Sequence, residues 1–561
     1  MIELLTSISQ KIGQNKIYQY IFFTIASIIT ISFMGYYFGT FDQAIHIPYL
    51  KKMADPSLFP NDKFLELRSY HYSFFWFFFI PFYKFGVLEI TMFITHFLVT
   101  FLTFLAIYDL TKTLFKNSIA PFLAVIAFIF PHLGFAGFPI FEFSLLNRTF
   151  VLPFLLISIN LYLNKKPFFA LLILGLMYNL HVISVNFVLA MFLFDSLFRI
   201  KEIRFKNLIK QFLTFLLFAS PVLIWKFSNS HVDVGLDRSW FYIINNSLLA
   251  HVFTLITTNL LINFTILNGI STVIIFFLTL PVKKTINDLI VRNFIWASII
   301  ILIVQAIAGT WFPLTIIIQS QIIRVGIFIN IFAYLYFAGY ISELFNDKKI
   351  NTNKISLLIL ALLFSISPLI SLIVLLLYKK INNKNCVSIF KYLVIIIFLL
   401  TLTIFYKMDI WKPGINIEPI KDDNYDAQIW AKNNTPKDTL FITPPALWWF
   451  YSLEWRVISE RSTISTLSET FEGSFVPSYI EYWRPRFEDV APGALIKFSI
   501  DPIKNIKITK NAYRSLSEND ILRISKKYGA KYFVSEKPRL YQFPILYENK
   551  GFIVYDLNLA N

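Results

Sequence analysis

Between residues 17 and 406 the chain is a succession of apolar runs separated by short charged loops, and this pattern most limits how it can fold. A helix crossing a bilayer needs about 20 apolar residues. Candidate spans fall at 17–38, 87–108, 118–131, 149–163, 168–181, 184–198, 211–228, 262–282, 293–312, 325–343, 355–366, 368–378 and 391–406. The run 168–198 is too long for one span and is divided at His181, while 355–378 reads as a tight hairpin turning at Pro368. With 56% hydrophobic and 15% charged residues, a water-soluble fold could not hide this much apolar surface. The expectation is a polytopic α-helical membrane protein.

Charge sets the expected orientation. Alternate loops carry 21 Lys and Arg on one side and 7 on the other. The positive-inside rule puts the richer set in the cytoplasm. The balance holds only if 355–378 crosses twice, which gives about 13 spans, a cytoplasmic N-terminus and an extracytoplasmic C-terminus. Lys11 and Lys16 before the first run read as the flank of an uncleaved signal anchor. The net charge of +17 lies in loops between apolar runs, so it marks membrane topology and not nucleic-acid binding. The single cysteine, Cys386, excludes an intrachain disulfide framework and any multi-cysteine metal site.

Two domains are expected: a membrane domain over 1–406, with a first outer loop at 39–71, and an extracytoplasmic α/β domain over 407–561. In the latter, "YDAQIWAKN", "SFVPSYIEYWRPRFEDV" and "ENDILRISKKYG" read as helices. "TLFITP" and "AKYFVS" read as strands, and "FPILYENKGFIVYDL" as a hairpin.

All seven histidines lie in the first 251 residues, most of them in or beside predicted outer loops, including His231 and His251. Carboxylates (Asp42, Glu142, Asp233 and Asp237 among them) and two isolated arginines, Arg148 and Arg324, sit at the same level. The segment "FDQAIHIPYLKKMADPSLFPNDKFL" (41–65) follows the first span directly. Asp42, near the membrane surface, is placed to act as a general base. His46 shares a face with it on a helical turn, and the two could orient an acceptor or bind a divalent metal with a third ligand. The competing reading is that Asp42 caps a helix starting near Gln43. Asp55 and Asp62 read as turn residues.

His71 opens an aromatic stretch, as a site residue or as part of an interfacial belt. In "FPIFEFSLLNRTF", Arg148 needs an anion near lipid, which is a phosphate or the Glu142 carboxylate. His181, in "MYNLHVISVNF", is a functional group or an interhelical hydrogen-bond partner. Arg324, in "IIIQSQIIRVGIF", is a second phosphate candidate. The Trp- and Arg-rich stretches 444–463 and 481–490 suit sugar or headgroup contact, or simply a core. No P-loop, HExxH or GxSxG pattern is present.

The segment 41–65 together with "DAQIWAKNNTPKDTLFITPP" (426–445) resembles the GT-C superfamily of membrane glycosyltransferases. The likeness is narrower to a bacterial branch sharing "DQAIHIPYL…DPSLFPND" and "W…NTPKDTLFITPP". The resemblance implies a GT-C-like fold of many irregular helices with its active site beneath the first outer loop. It implies a polyprenyl-phosphate-linked sugar donor, a lipid, glycan or protein acceptor, and a location in the plasma (inner) membrane. The first-loop acid of that superfamily is catalytic, as base or ligand to a divalent cation such as Mg or Mn, and it matches Asp42. Many members carry a second acid beside it, where this chain has Gln43. On this reading Asp42 takes the acceptor proton, and His46 and His71 orient the acceptor or hold a metal. Arg148 and Arg324, with Glu142 and His181 beside them, hold the donor phosphate. A lipid or glycan transporter and a non-catalytic glycan-binding scaffold are the rival readings.

Overall fold

In a computed structural model the protein is described over residues 2–202, 205–229, 238–247, 260–345, 351–381, 383–447 and 451–558. His231, Asp233, Asp237, His251 and the Trp448-Trp449 pair lie outside the described residues.

Long apolar runs become helices because a bilayer offers the backbone no other hydrogen-bond partner. By length and composition, six segments can cross a membrane: Lys16–Met34, Leu88–Phe115, Phe205–Ser228, Ile286–Thr310, Thr315–Leu344 and Lys384–Lys407. Shorter apolar helices accompany them, and the chain is a multi-pass membrane protein. Ile21, Ile25 and Ile28 on Lys16–Met34, and Ile396, Leu399 and Leu400 on Lys384–Lys407, are exposed, as lipid-facing side chains are. Helix Gly326–Leu344 runs through the middle and is buried on nearly every side. It packs on Leu260–Thr279 and Ile119–Ala127.

The run 168–198 divides into Pro167–Tyr178 and Val182–Phe198, with His181 as the N-cap of the second. The run 355–378 divides into Thr352–Phe364 and Pro368–Leu377. Proline opens a helix at no hydrogen-bond cost, which is why the turn falls where it does. At 12 and 10 residues, Pro167–Tyr178 and Pro368–Leu377 rise only about 18 and 15 Å, well short of a hydrocarbon core about 30 Å thick. Both pack against longer helices of the bundle.

After Lys384–Lys407 the architecture changes to an α/β domain. Its five-stranded sheet has the order Ser462–Thr463, Leu440–Ile442, Tyr532–Glu536, Phe552–Asp556, Ile545–Glu548. The first three strands are parallel and the last two close antiparallel as a hairpin. Helices Asp423–Asn434, Pro477–Val490 and Glu518–Tyr528 form where expected, the last ending on Gly529 at φ 73°. One sheet face packs Phe533, Ile553 and Tyr555 on Ile521 and Ile524, and the other packs Val534 and Val554 on Ala427 and Trp455. Trp455 and Trp483 are fully buried, so these two tryptophans serve the core and are not free to stack on a sugar.

The segment 39–71 is folded and clamped between the two parts. It holds helices Gln43–Ala54 and Lys63–Glu66 and a 3-10 turn at Leu67–Tyr70. Tyr36–Tyr37 pairs in parallel with Ile415–Asn416. Lys51 meets Glu460 at 2.8 Å, Asp55 meets Lys437 at 2.7 Å, and Asp62 meets Arg456 at 2.8 Å. Asp55 and Asp62 do serve turns, accepting from the backbone of Ser57 and Phe64. Their other role, tying the segment to the α/β domain, was not visible in local sequence.

Candidate functional site

Asp42 immediately precedes helix Gln43–Ala54, but its side chain makes no capping hydrogen bond. It turns instead to Arg148 Nη1, 2.7 Å from Asp42 Oδ2. Arg148, in the first turn of helix Asn147–Leu163, also forks onto Glu142, with Nε and Nη2 each 2.6 Å from a carboxylate oxygen. One guanidinium thus joins two carboxylates, and the group carries a net negative charge. The two-point geometry is the one a guanidinium forms best.

Arg324 is different. Gln321 takes the left-handed conformation, φ 45°, and breaks the apolar run into a 3-10 turn, Ile322–Val325. Gln305 holds that turn by accepting from the Ile323 N–H at 2.7 Å. Arg324 Nε donates to Gln321 Oε1 at 2.7 Å, and its guanidinium lies 4.4 Å from the centre of the Phe138 ring. Nη1 is buried and has no partner among the described residues. A buried, incompletely paired guanidinium is costly unless an anion completes it.

His181 caps its helix through Nδ1, which accepts from the Ser184 N–H and lies 2.8 Å from its hydroxyl. In the neutral ring the hydrogen is therefore on Nε2. The His46 ring stacks on Trp76 at 4.9 Å and meets His71 edge-on at 5.4 Å. Burial, with His71 and Arg148 adding to it, pushes the His46 imidazole well below its usual range. His71 Nε2 sits on the Glu472 carboxylate of the α/β domain. The backbone around it is fixed by Arg68, whose Nη1 and Nη2 donate to the His71 and Ser73 carbonyls at 2.6 and 2.8 Å.

These groups converge. A cavity of about 570 Å³ is lined by Asp42, His46, His71, Arg148, His181 and Arg324, with Glu142 behind Arg148. Val182, Ile183, Phe187, Ile301 and Ile316 add apolar lining, alongside polar Asn186, Lys226 and Gln319. No family model matches the chain, and no curated protein matches it. Among solved structures it is similar to ArnT from Cupriavidus metallidurans bound to undecaprenyl phosphate, at 10% identity over 95% of this chain and 97% of that one, with a TM-score of 0.46.

The donor set argues against a cation cage built on Asp42 and His46. Asp42 Oδ2 is occupied by Arg148, and no group of three or more His, Cys, Asp or Glu is placed for a metal among the described residues. One contributor to the site had no signal in the sequence, and a second has a role there that the sequence did not show. Glu472 lies 401 positions from His71 in the chain. Gln43, directly after Asp42, is fully buried and binds the Gly39 N–H and the Leu145 carbonyl, each at 2.9 Å, so it shapes the first turn of the site.

Proposed function

We propose that this protein is a membrane glycosyltransferase of the GT-C type. It moves a hexosyl or pentosyl group from a polyprenyl-phosphate-linked donor to a lipid, glycan or protein acceptor outside the cytoplasm. The observation that carries the reading is the convergence of Asp42, His46, His71, Arg148, His181 and Arg324, from well-separated parts of the chain, on one cavity. Arg324 Nη1 and the Nε2–H of His181 offer hydrogen-bond donors to a phosphate, while the apolar lining residues suit a prenyl chain. Breaking the bond from the anomeric carbon to the phosphate oxygen leaves charge on the phosphate, and fixed donors lower that barrier most when they are aimed at the growing charge. The excess of Lys and Arg in the opposite loops supports an extracytoplasmic site, where a lipid-linked donor is the accessible one. The acceptor proton passes to a group on the cavity wall, with Asp42 and His71 the two candidates.

The test is sugar transfer by the purified full-length protein from a panel of polyprenyl-phosphate-linked sugars, compared with Arg324→Met. Transfer that is lost in the variant supports the reading. Lipid binding without transfer would point to a lipid transporter or a glycan-binding scaffold instead.

A further inference from the structure

We infer that Glu472 positions His71 as the proton acceptor for an incoming hydroxyl, so that the α/β domain supplies a working part of the cavity; this rests on the transfer reading above. A carboxylate can only accept, so the pairing places the hydrogen of a neutral His71 ring on Nε2 and leaves the Nδ1 lone pair free. Nδ1 has no partner among the described residues, and the residue lines the cavity. The other cavity groups differ in what they present. His181 Nδ1 is taken by Ser184, so that ring offers an N–H. Asp42 Oδ2 is taken by Arg148. The His46 ring is packed face-on against Trp76. The wall therefore presents donors suited to a phosphate at Arg324 and His181 and an open lone pair suited to a hydroxyl at His71, whereas Asp42 is an acceptor already engaged through one oxygen by Arg148.

Glu472 is held to this task from both sides. Glu469, one turn earlier on helix Glu469–Phe475, is bound to Arg456 at 2.9 Å. The carbonyl of the next residue, Gly473, accepts from Trp240 Nε1 at 2.7 Å. A ring fixed through one nitrogen by an anchored carboxylate is pre-oriented for proton transfer at the other. In the step, the acceptor O–H proton passes to His71 Nδ1 and the acceptor oxygen bonds to the anomeric carbon. The bond from that carbon to the phosphate oxygen breaks, its electron pair leaves on the phosphate, and His71 then releases the proton to solvent.

Two measurements on the full-length protein test this. Nitrogen-15 NMR of labelled histidines, assigned with His71→Gln, should find neutral His71 with its hydrogen on Nε2; Glu472→Leu should mix the two tautomers, while Glu472→Gln, which keeps an accepting oxygen, should not. In transfer assays kcat of Glu472→Leu should fall by about tenfold or more with KM little changed, Glu472→Gln should recover part of it, and the rise of rate with pH should shift. The groups facing His71 that bear on such a profile are His46 and Tyr49 from helix Gln43–Ala54, Glu472, and Arg68 from its own segment, with Asp42, Arg148, His181, Lys226 and Arg324 also charged or titratable around the cavity. A wild-type ring protonated on Nδ1, or an unchanged kcat in Glu472→Leu, overturns the proposal. If Glu472→Leu does not fold, the wild-type tautomer and the Glu472→Gln kinetics decide. If the wild-type protein transfers no sugar, the transfer reading falls and the proton-acceptor role with it, while the tautomer still decides whether Glu472 positions the ring.

Discussion

Asp62 of the first loop and Arg456 of the α/β domain form an ion pair at 2.8 Å with both side chains almost wholly buried. The same guanidinium reaches Glu469 at 2.9 Å and Glu454 at 3.3 Å. Three carboxylates depend on one cation away from water, so deleting the cation costs far more than an ordinary ion pair. Arg456→Met should destabilise the protein by about 3–5 kcal/mol, because it orphans buried charges. Thermal unfolding in detergent and faster proteolysis at the join between loop and domain would read this. An unchanged midpoint would show that the cluster does not hold the two parts together.

The same cluster makes stability depend on pH. Burial, aided by Glu469, pushes Glu454 up to about 7 against the opposing pull of Arg456. An acid whose folded pKa exceeds its unfolded one binds more protons when folded. Its stabilising contribution is full below about pH 4.5 and is lost as pH rises through about 7. Wild-type protein should therefore lose stability between pH 5 and pH 8 relative to Glu454→Gln, by up to about 3 kcal/mol. The comparison is needed because the buried His46, with its depressed pKa, works in the opposite sense and is present in both proteins. Parallel curves for the two proteins would rule the effect out.

What was legible in the sequence was what local pattern controls. Apolar period and length marked the helices, a polar His181 and a Pro368 marked two breaks, and Gly529 marked a helix end. Charge placement put Asp42, Arg148 and Arg324 at one level, and they meet at one cavity. Partner choice was not legible. Arg148 was open to a phosphate or to Glu142, and only packing shows it paired with both Glu142 and Asp42. Glu472 carries no local signature at all, since its role arises from a contact 401 residues away in sequence. The tie between loop segment 39–71 and the α/β domain left no local trace, because its charges have partners hundreds of residues distant.

The contrast between the two arginines is itself testable. Arg148 neutralises Asp42 and Glu142, so Arg148→Met should destabilise by about 3–5 kcal/mol by leaving two carboxylates together. Among the described residues Arg324 makes a single side-chain hydrogen bond, to Gln321, and Nη1 has no partner. Arg324→Met should leave the unfolding midpoint unchanged or slightly higher, while weakening polyprenyl phosphate binding by about 10-fold or more, as loss of a charge-assisted hydrogen bond does. Thermal unfolding and lipid binding by native mass spectrometry separate the two effects. Equal loss of stability in both variants would remove the case for Arg324 as the open anion site.

Gln43 occupies the position where the resembling superfamily often has a second acid, and the structure gives that amide work only an amide can do. Its oxygen accepts from Gly39 and its nitrogen donates to the Leu145 carbonyl, both at 2.9 Å, with the side chain fully buried. The first bond holds Gly39 in its φ 79° turn; the second ties that turn to the segment just before Arg148. A carboxylate could replace the acceptor half but would set an oxygen against the Leu145 carbonyl. Gln43→Glu should therefore lower stability by about 1–3 kcal/mol, the cost of an unsatisfied buried polar group. It should also disturb Asp42 and Arg148 together, since the lost bond joins the turn beside Asp42 to the segment just before Arg148. Thermal unfolding measures the first effect, and cysteine-scanning accessibility at Asn147 the second. A Gln43→Glu protein with full stability and faster transfer would show instead that the position tolerates a second acid beside Asp42.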